Sequence, residues 1–118
     1  MRRIISSGSV KAIYLDKEEV LAQIQRASKL ALQEFPEIKE IRLFGSFATG
    51  KIHALSDVDM ILIVDQAKTN DPIQRLRPYY SFFSKYIDIG FDLLVIEQGK
   101  MEQYRNVLEE SKNIFLRF

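Results

Sequence analysis

Apolar residues recur along this chain with two different periods, and each change of period marks an element. Val20, Leu21, Ile24, Ala27, Ala31 and Phe35 fall at helical spacing. They predict a helix from about Lys17 to Phe35 that Pro36 stops. Asp16, with Glu19 three residues on, reads as a capping box at its start. Short apolar runs predict strands near Lys39 to Phe44, Val58 to Val64 and Phe91 to Ile96. Val10 to Leu15 reads as a leading strand or extended arm, and Asn113 to Phe118 as a final strand. Asp65 to Asp71 is a polar loop. Pro72 and Pro78 interrupt the next stretch, so helix is predicted mainly from Pro78 to Tyr86, with Pro78 in its first turn. A last helix is expected over Lys100 to Glu110. There is no internal repeat, low-complexity tract or linker, so residues 1–118 are expected to form a single domain. The alternation predicts an α/β (α+β) fold, a mixed β-sheet with helices packed mainly on one face and its ligand end open.

Composition narrows the function. A chain of 118 residues with 47% hydrophobic content suits one core. Seventeen basic against sixteen acidic residues leave a net charge of +1, which supplies no strong field for nucleic acid. DNA or tRNA is therefore not expected as a strong partner. With no cysteine there is neither a disulfide framework nor a thiolate metal site, which points to a cytoplasmic location. Met1-Arg2-Arg3-Ile4-Ile5 carries too few apolar residues after its charges for a signal peptide, and no apolar run is long enough to span a membrane.

The chemistry concentrates in two short motifs. Ten residues separate Gly45-Ser46 from Asp57-Val58-Asp59, which opens the apolar run Met60 to Val64. Successive strand residues point to opposite faces, so Asp57 and Asp59 project the same way. Two carboxylates that close resist joint ionisation unless a cation sits between them. Magnesium suits the gap, because it accepts a few carboxylate oxygens and takes further ligands from substrate phosphates. Gly45 has no side chain to keep a phosphate from the backbone, and Ser46 adds a hydroxyl donor. A short helix beginning at Ser46 would add unpaired amides. Four fixed positions match by chance on the order of once per thousand chains of this length. Placement between two predicted strands sharpens the pattern further.

The segment Leu43-Phe44-Gly45-Ser46-Phe47-Ala48-Thr49-Gly50, followed by Ser56-Asp57-Val58-Asp59, resembles the minimal nucleotidyltransferases of the DNA polymerase β superfamily. The resemblance runs from about Ile41 to Ile96. It implies a polymerase-β-like nucleotidyltransferase fold and a third acidic residue on a later strand. Asp92, which precedes the apolar Leu93-Leu94-Val95-Ile96, is preferred for that role over Asp88 and Glu97. Asp57, Asp59 and Asp92 are then the expected catalytic and metal-binding residues for two Mg2+ ions. Gly45, Ser46 and Lys51 are expected to bind ATP or another NTP. Many relatives carry arginine where this chain has Thr49, and Lys51 could supply that charge. The implied reaction moves an NMP, AMP from ATP in the leading version, to an acceptor hydroxyl with release of pyrophosphate.

Larger relatives append a helical domain for the acceptor, and this chain ends before one, so the acceptor site is expected on a partner or a second copy. Stand-alone members resemble the antitoxin half of two-gene systems that silence a small helical HEPN-type ribonuclease. The competing expectations are a non-catalytic nucleotide-binding module that acts by occlusion, and a transferase acting on a small molecule such as an aminoglycoside. On spacing alone, Gly45-Ser46 also suits an ordinary strand-to-helix turn and Asp57 a cap or turn residue. His53, the lone histidine, is expected as a solvent-facing loop residue. In Tyr79 to Tyr86 one helical face, Tyr79, Phe82, Phe83 and Tyr86, suits core packing. Tyr80 and Ile87 suggest a second apolar face for a partner, flanked by Arg75, Arg77 and Lys85, which could grip a triphosphate or an acidic partner.

Overall fold

The computed structural model describes residues 2–7, 10–15, 17–49, 57–67 and 69–116. Two N-terminal strands, β1 (Arg2–Ser7) and β2 (Val10–Leu15), pair antiparallel with Arg2 opposite Leu15 and Ser7 opposite Val10. The leading strand expected at Val10 to Leu15 is therefore present, and β1 is an addition to it. Asp16, the expected cap, lies outside the described residues.

Helix α1 (Lys17–Glu34) buries Val20, Ile24, Ala27, Ser28 and Ala31 along one stripe. Phe35 N–H still reaches the Ala31 carbonyl at 2.8 Å, and Pro36 ends the helix there. The chain then forms β3 (Ile38–Phe44), the short helix α2 (Ser46–Thr49) and β4 (Val58–Val64). Next come α3 (Pro72–Phe83) and β5 (Phe91–Glu97). A 3₁₀ segment (Gln98–Tyr104), α4 (Arg105–Glu110) and β6 (Lys112–Leu116) complete it.

The four-stranded sheet has the order β5-β4-β3-β6. Strands β3 and β4 are antiparallel, as are β3 and β6, whereas β4 and β5 are parallel and joined through α3. Its two faces are unequal. On one, α1 and α3 cover Val58, Met60, Leu62 and Val64 of β4 together with Ile38, Ile41, Leu43 and Val95. A register irregularity between Ile38 and Glu40 allows Ile38 and Ile41, an odd number apart, to face the same core. On the other face Ile61, Ile63 and Ile96 meet Met101, Tyr104, Val107 and Leu108. This is the mixed sheet with helices mainly on one face that the pattern predicts, with a smaller cover on the reverse.

Three expectations for the second half need correcting. Helix α3 starts at Pro72, not Pro78: the Asp71 carboxylate accepts from Ile73 N–H at 3.0 Å and Gln74 N–H at 3.4 Å, and Pro72 occupies the first turn. Pro78 lies inside the helix, where it deprives the Gln74 carbonyl of a donor. Both residues are exposed, so water can take that donor's place. The helix also ends at Phe83, and the following turn carries Ile87 into the main core at 3% exposure. Ile87 therefore does not share an outer face with Tyr80. Ile73, seven residues before Tyr80, does; the two are 68% and 44% exposed. The helix expected over Lys100 to Glu110 is split, with a 3₁₀ first part in which Met101 and Tyr104 stack three residues apart onto the smaller cluster.

Candidate active site

The acidic motif sits at the end of the sheet where β4 begins, on the face opposite α1 and α3. Alternation along β4 decides this, because Val58 and Met60 enter the main core and Asp59 must point away. On the parallel neighbour Asp92 lies directly opposite Asp59, one strand spacing or about 4.8 Å away. Phe91 and Val95 pack into the main core and Ile96 into the smaller cluster, so Asp92 shares the face of Asp59. The preference for Asp92 over Glu97 is thus a matter of register. Glu97 stands opposite Val64 at the far end of the strands, paired with Arg75 and Lys100 at 3.8 Å each. Arg75 also donates to the Thr69 carbonyl at 3.3 Å. It is therefore engaged away from the aspartates and does not supply the triphosphate contact suggested for it.

On the other side of Asp59 the antiparallel partner is Phe44, after which the chain turns through Gly45 at φ +70°. Glycine is favoured there on two grounds. L-residues avoid that backbone region, and a Cβ on Gly45 would stand 2.5 Å from Asp59 Oδ2. The turn leads straight into α2, whose Ala48 and Thr49 amides both donate to the Gly45 carbonyl at 3.1 Å. Phe47, 5% exposed, fastens α2 to the main core. Ser46 is half-buried beside Gly45. The Thr49 hydroxyl turns back toward the Ser46 carbonyl at 3.5 Å, and Lys17 and Lys112 line the same hollow as Thr49. Lys51 and His53 lie outside the described residues.

Burial, then the negative charge of Asp92 and then that of Asp57, hold the Asp59 carboxyl above its ordinary range. Asp57 is exposed and leans over Gly90, the residue before β5; a Cβ there would stand 2.6 Å from Asp57 Oδ1. Gly90 is the site neighbour that the sequence alone does not reveal. Its signal is the parallel register of β4 and β5, which links positions more than thirty residues apart and has no local trace. Among the described residues, no three acidic or histidine side chains already stand grouped around one point. The donor chemistry nevertheless fits a hard divalent cation: all the donors are carboxylate oxygens, and Asp59 carries an electrostatic penalty that a cation would relieve.

A glycine turn and short helix abutting an acidic strand end, on a mixed sheet backed by two helices, define a phosphate-handling α/β enzyme class. The comparisons make the class specific. Residues 28–117 match the family described as polymerase beta, nucleotidyltransferase. The chain belongs to that nucleotidyltransferase family. It is 41% identical over 59 residues to the protein adenylyltransferase MntA of Aphanizomenon flos-aquae (strain 2012/KM1/D3), a match covering 50% of this chain and 39% of that protein. The chain thus spans about two fifths of that relative's length. A Sulfolobus solfataricus protein, provisionally described as a nucleotidyltransferase, superposes with a TM-score of 0.66 at 21% identity, covering 86% of this chain and 84% of its own. The structure of a tri-AMPylated Shewanella oneidensis HEPN toxin with its MNT antitoxin gives a TM-score of 0.55 at 18% identity, covering 80% of this chain and 71% of that one. These two structures establish the fold, and the expected polymerase-β-like architecture is the one observed.

Proposed function

We propose that the chain is a magnesium-dependent adenylyltransferase that moves AMP from ATP to a hydroxyl of a partner protein, as the antitoxin of a HEPN/MNT pair. The observation that carries this reading is the in-register pair Asp59 and Asp92, with Gly45 against Asp59 on the other side. The likeness to MntA supports protein as the acceptor and adenylyl as the group moved. In this reading Asp57, Asp59 and Asp92 hold magnesium, which supplies positive charge against the phosphates and the acceptor oxygen. The Gly45 backbone and the Ser46 hydroxyl hold the terminal phosphates and so aim the α-phosphorus. Lys51 is assigned to the same phosphates. Attack by the acceptor hydroxyl forms the new P–O bond as the bond to pyrophosphate breaks, and the hydroxyl proton passes to solvent. The exposed pair Ile73 and Tyr80, with Leu76 and Arg77 between them, supports docking of a helical partner along α3.

The test is to incubate the purified protein with magnesium and each α-labelled NTP, alone and with lysate from its own organism, beside Asp57→Asn and Asp59→Asn. A labelled protein band obtained best with ATP and absent from both variants is expected. Magnesium-dependent ATP binding with no label anywhere would replace the reading with that of a binding module acting by occlusion. Retained turnover in either variant would defeat the assignment of the aspartates.

A further inference from the structure

Resting on the assignment of the aspartates above, we propose that Gly90 is a positioning residue whose missing side chain forms the slot that seats the Asp57 carboxylate. Nothing in its own backbone calls for glycine: among the described residues Gly45 is the one glycine at positive φ. Packing does not call for it either, since Gly90 is exposed. What a side chain at position 90 would meet first is Asp57. The three nearest atoms to an added Cβ are Asp57 Oδ1 at 2.6 Å, Cγ at 3.1 Å and Oδ2 at 3.6 Å. A carbon cannot sit 2.6 Å from a carboxylate oxygen, so one of them must move. The carboxylate is the rotatable end of an exposed side chain, and it is the part that gives way.

The placement is fixed by the sheet. Val58 N–H donates to the Gly90 carbonyl at 3.0 Å, which locks the residue after Asp57 to the residue before Phe91. The parallel register of Val58 with Phe91 and Asp59 with Asp92 therefore extends one step, to Asp57 beside Gly90. The two acidic residues at the start of β4 thus each have a glycine on one flank, Gly45 against Asp59 and Gly90 against Asp57. The first shapes a turn as well as a space. The second serves space alone, which makes its role separable from folding.

Manganese(II) binding, followed by electron paramagnetic resonance of the free ion, tests this on the whole chain. The set is the wild type, Gly90→Ala, Asp57→Asn, the double variant and Gly99→Ala, whose added methyl meets nothing within 4 Å. Gly90→Ala is expected to weaken manganese binding by roughly ten- to a hundredfold, the size of an effect transmitted through a ligand's neighbour. It should match Asp57→Asn, the double variant should be no weaker than Asp57→Asn, and Gly99→Ala should bind as the wild type does. Thermal unfolding of Gly90→Ala should stay within a few degrees of the wild type. Wild-type affinity in Gly90→Ala, effects that multiply in the double variant, or a fold lost on adding the methyl would each overturn the proposal. A wild type that takes up no manganese counts against both this proposal and the metal assignment. Labelled-nucleotide turnover separates the two: an Asp57→Asn protein that still transfers breaks the functional reading, while a Gly90→Ala protein that keeps binding and transfer, where Asp57→Asn loses both, breaks only this one.

Discussion

The two faces of β4 are built from alternate residues of one seven-residue strand, yet they answer to different physics. On the α1/α3 face Val58, Met60, Leu62 and Val64 are each no more than 1% exposed and form the centre of the main core. On the reverse face Asp59 is half-buried among like charges, and only Ile61 and Ile63, further along, restore apolar packing. One set lowers the energy of the fold, while the other raises it locally by gathering carboxylates at the strand end. Adjacent residues are thereby decoupled. A change on the first face should act on stability, and a change on the second on chemistry.

The sharpest way to break that division is Asp59→Asn. Transfer of label should fall by about a thousandfold or more, while the thermal midpoint in the absence of metal holds or rises because a like-charge contact disappears. Its counterpart is Leu62→Ala, which should cost about 2–5 kcal/mol in urea unfolding yet leave turnover per folded molecule near the wild-type value. Gly45→Ala should violate the division, since this residue serves both sides. Its positive φ predicts a loss of about 1–2 kcal/mol, and displacement of Asp59 should abolish transfer as well, read by denaturation and label incorporation on one preparation.

Protonation sharpens the comparison. Asp59 has its folded pKa raised by burial and by Asp92 and Asp57. Its contribution to stability is therefore fully present below the unfolded value of about 3.9 and is lost as pH rises through the folded value. Thermal midpoints measured without metal should accordingly fall less from pH 4 upward in Asp59→Asn than in the wild type, and added magnesium should shrink the difference. The smallest expected effect is at Ser28, which is fully buried in α1 with no hydrogen-bond partner for its hydroxyl among the described residues. Ser28→Ala should stabilise the protein by up to about 1 kcal/mol without changing turnover, as chemical denaturation would show.

The elements nearest the site are legible in the sequence because their signals are local. An apolar run sets β4, a helical stripe sets α1, and glycine followed by serine between two strands marks the turn. Sequence and structure part where one residue type serves two purposes. Pro72 reads as a breaker, yet Asp71 before it makes the pair a helix start, and Ile87 continues the spacing of a helix that has already ended at Phe83.

Alternation by itself determined that Asp57 and Asp59 share a face, because the period of a strand is a property of the backbone. The left-handed turn was written at Gly45 for a similar reason, since few other residues adopt that φ without strain. The run Leu93 to Ile96 already favoured Asp92 as the third carboxylate, but only tertiary structure sets it opposite Asp59. The register between β4 and β5 is set by hydrogen bonds across a crossover through α3, and a slip of one residue would have turned Asp92 into the opposite core. It likewise brought Gly90 to Asp57, a contact between residues far apart in the chain that only the packing of the sheet creates.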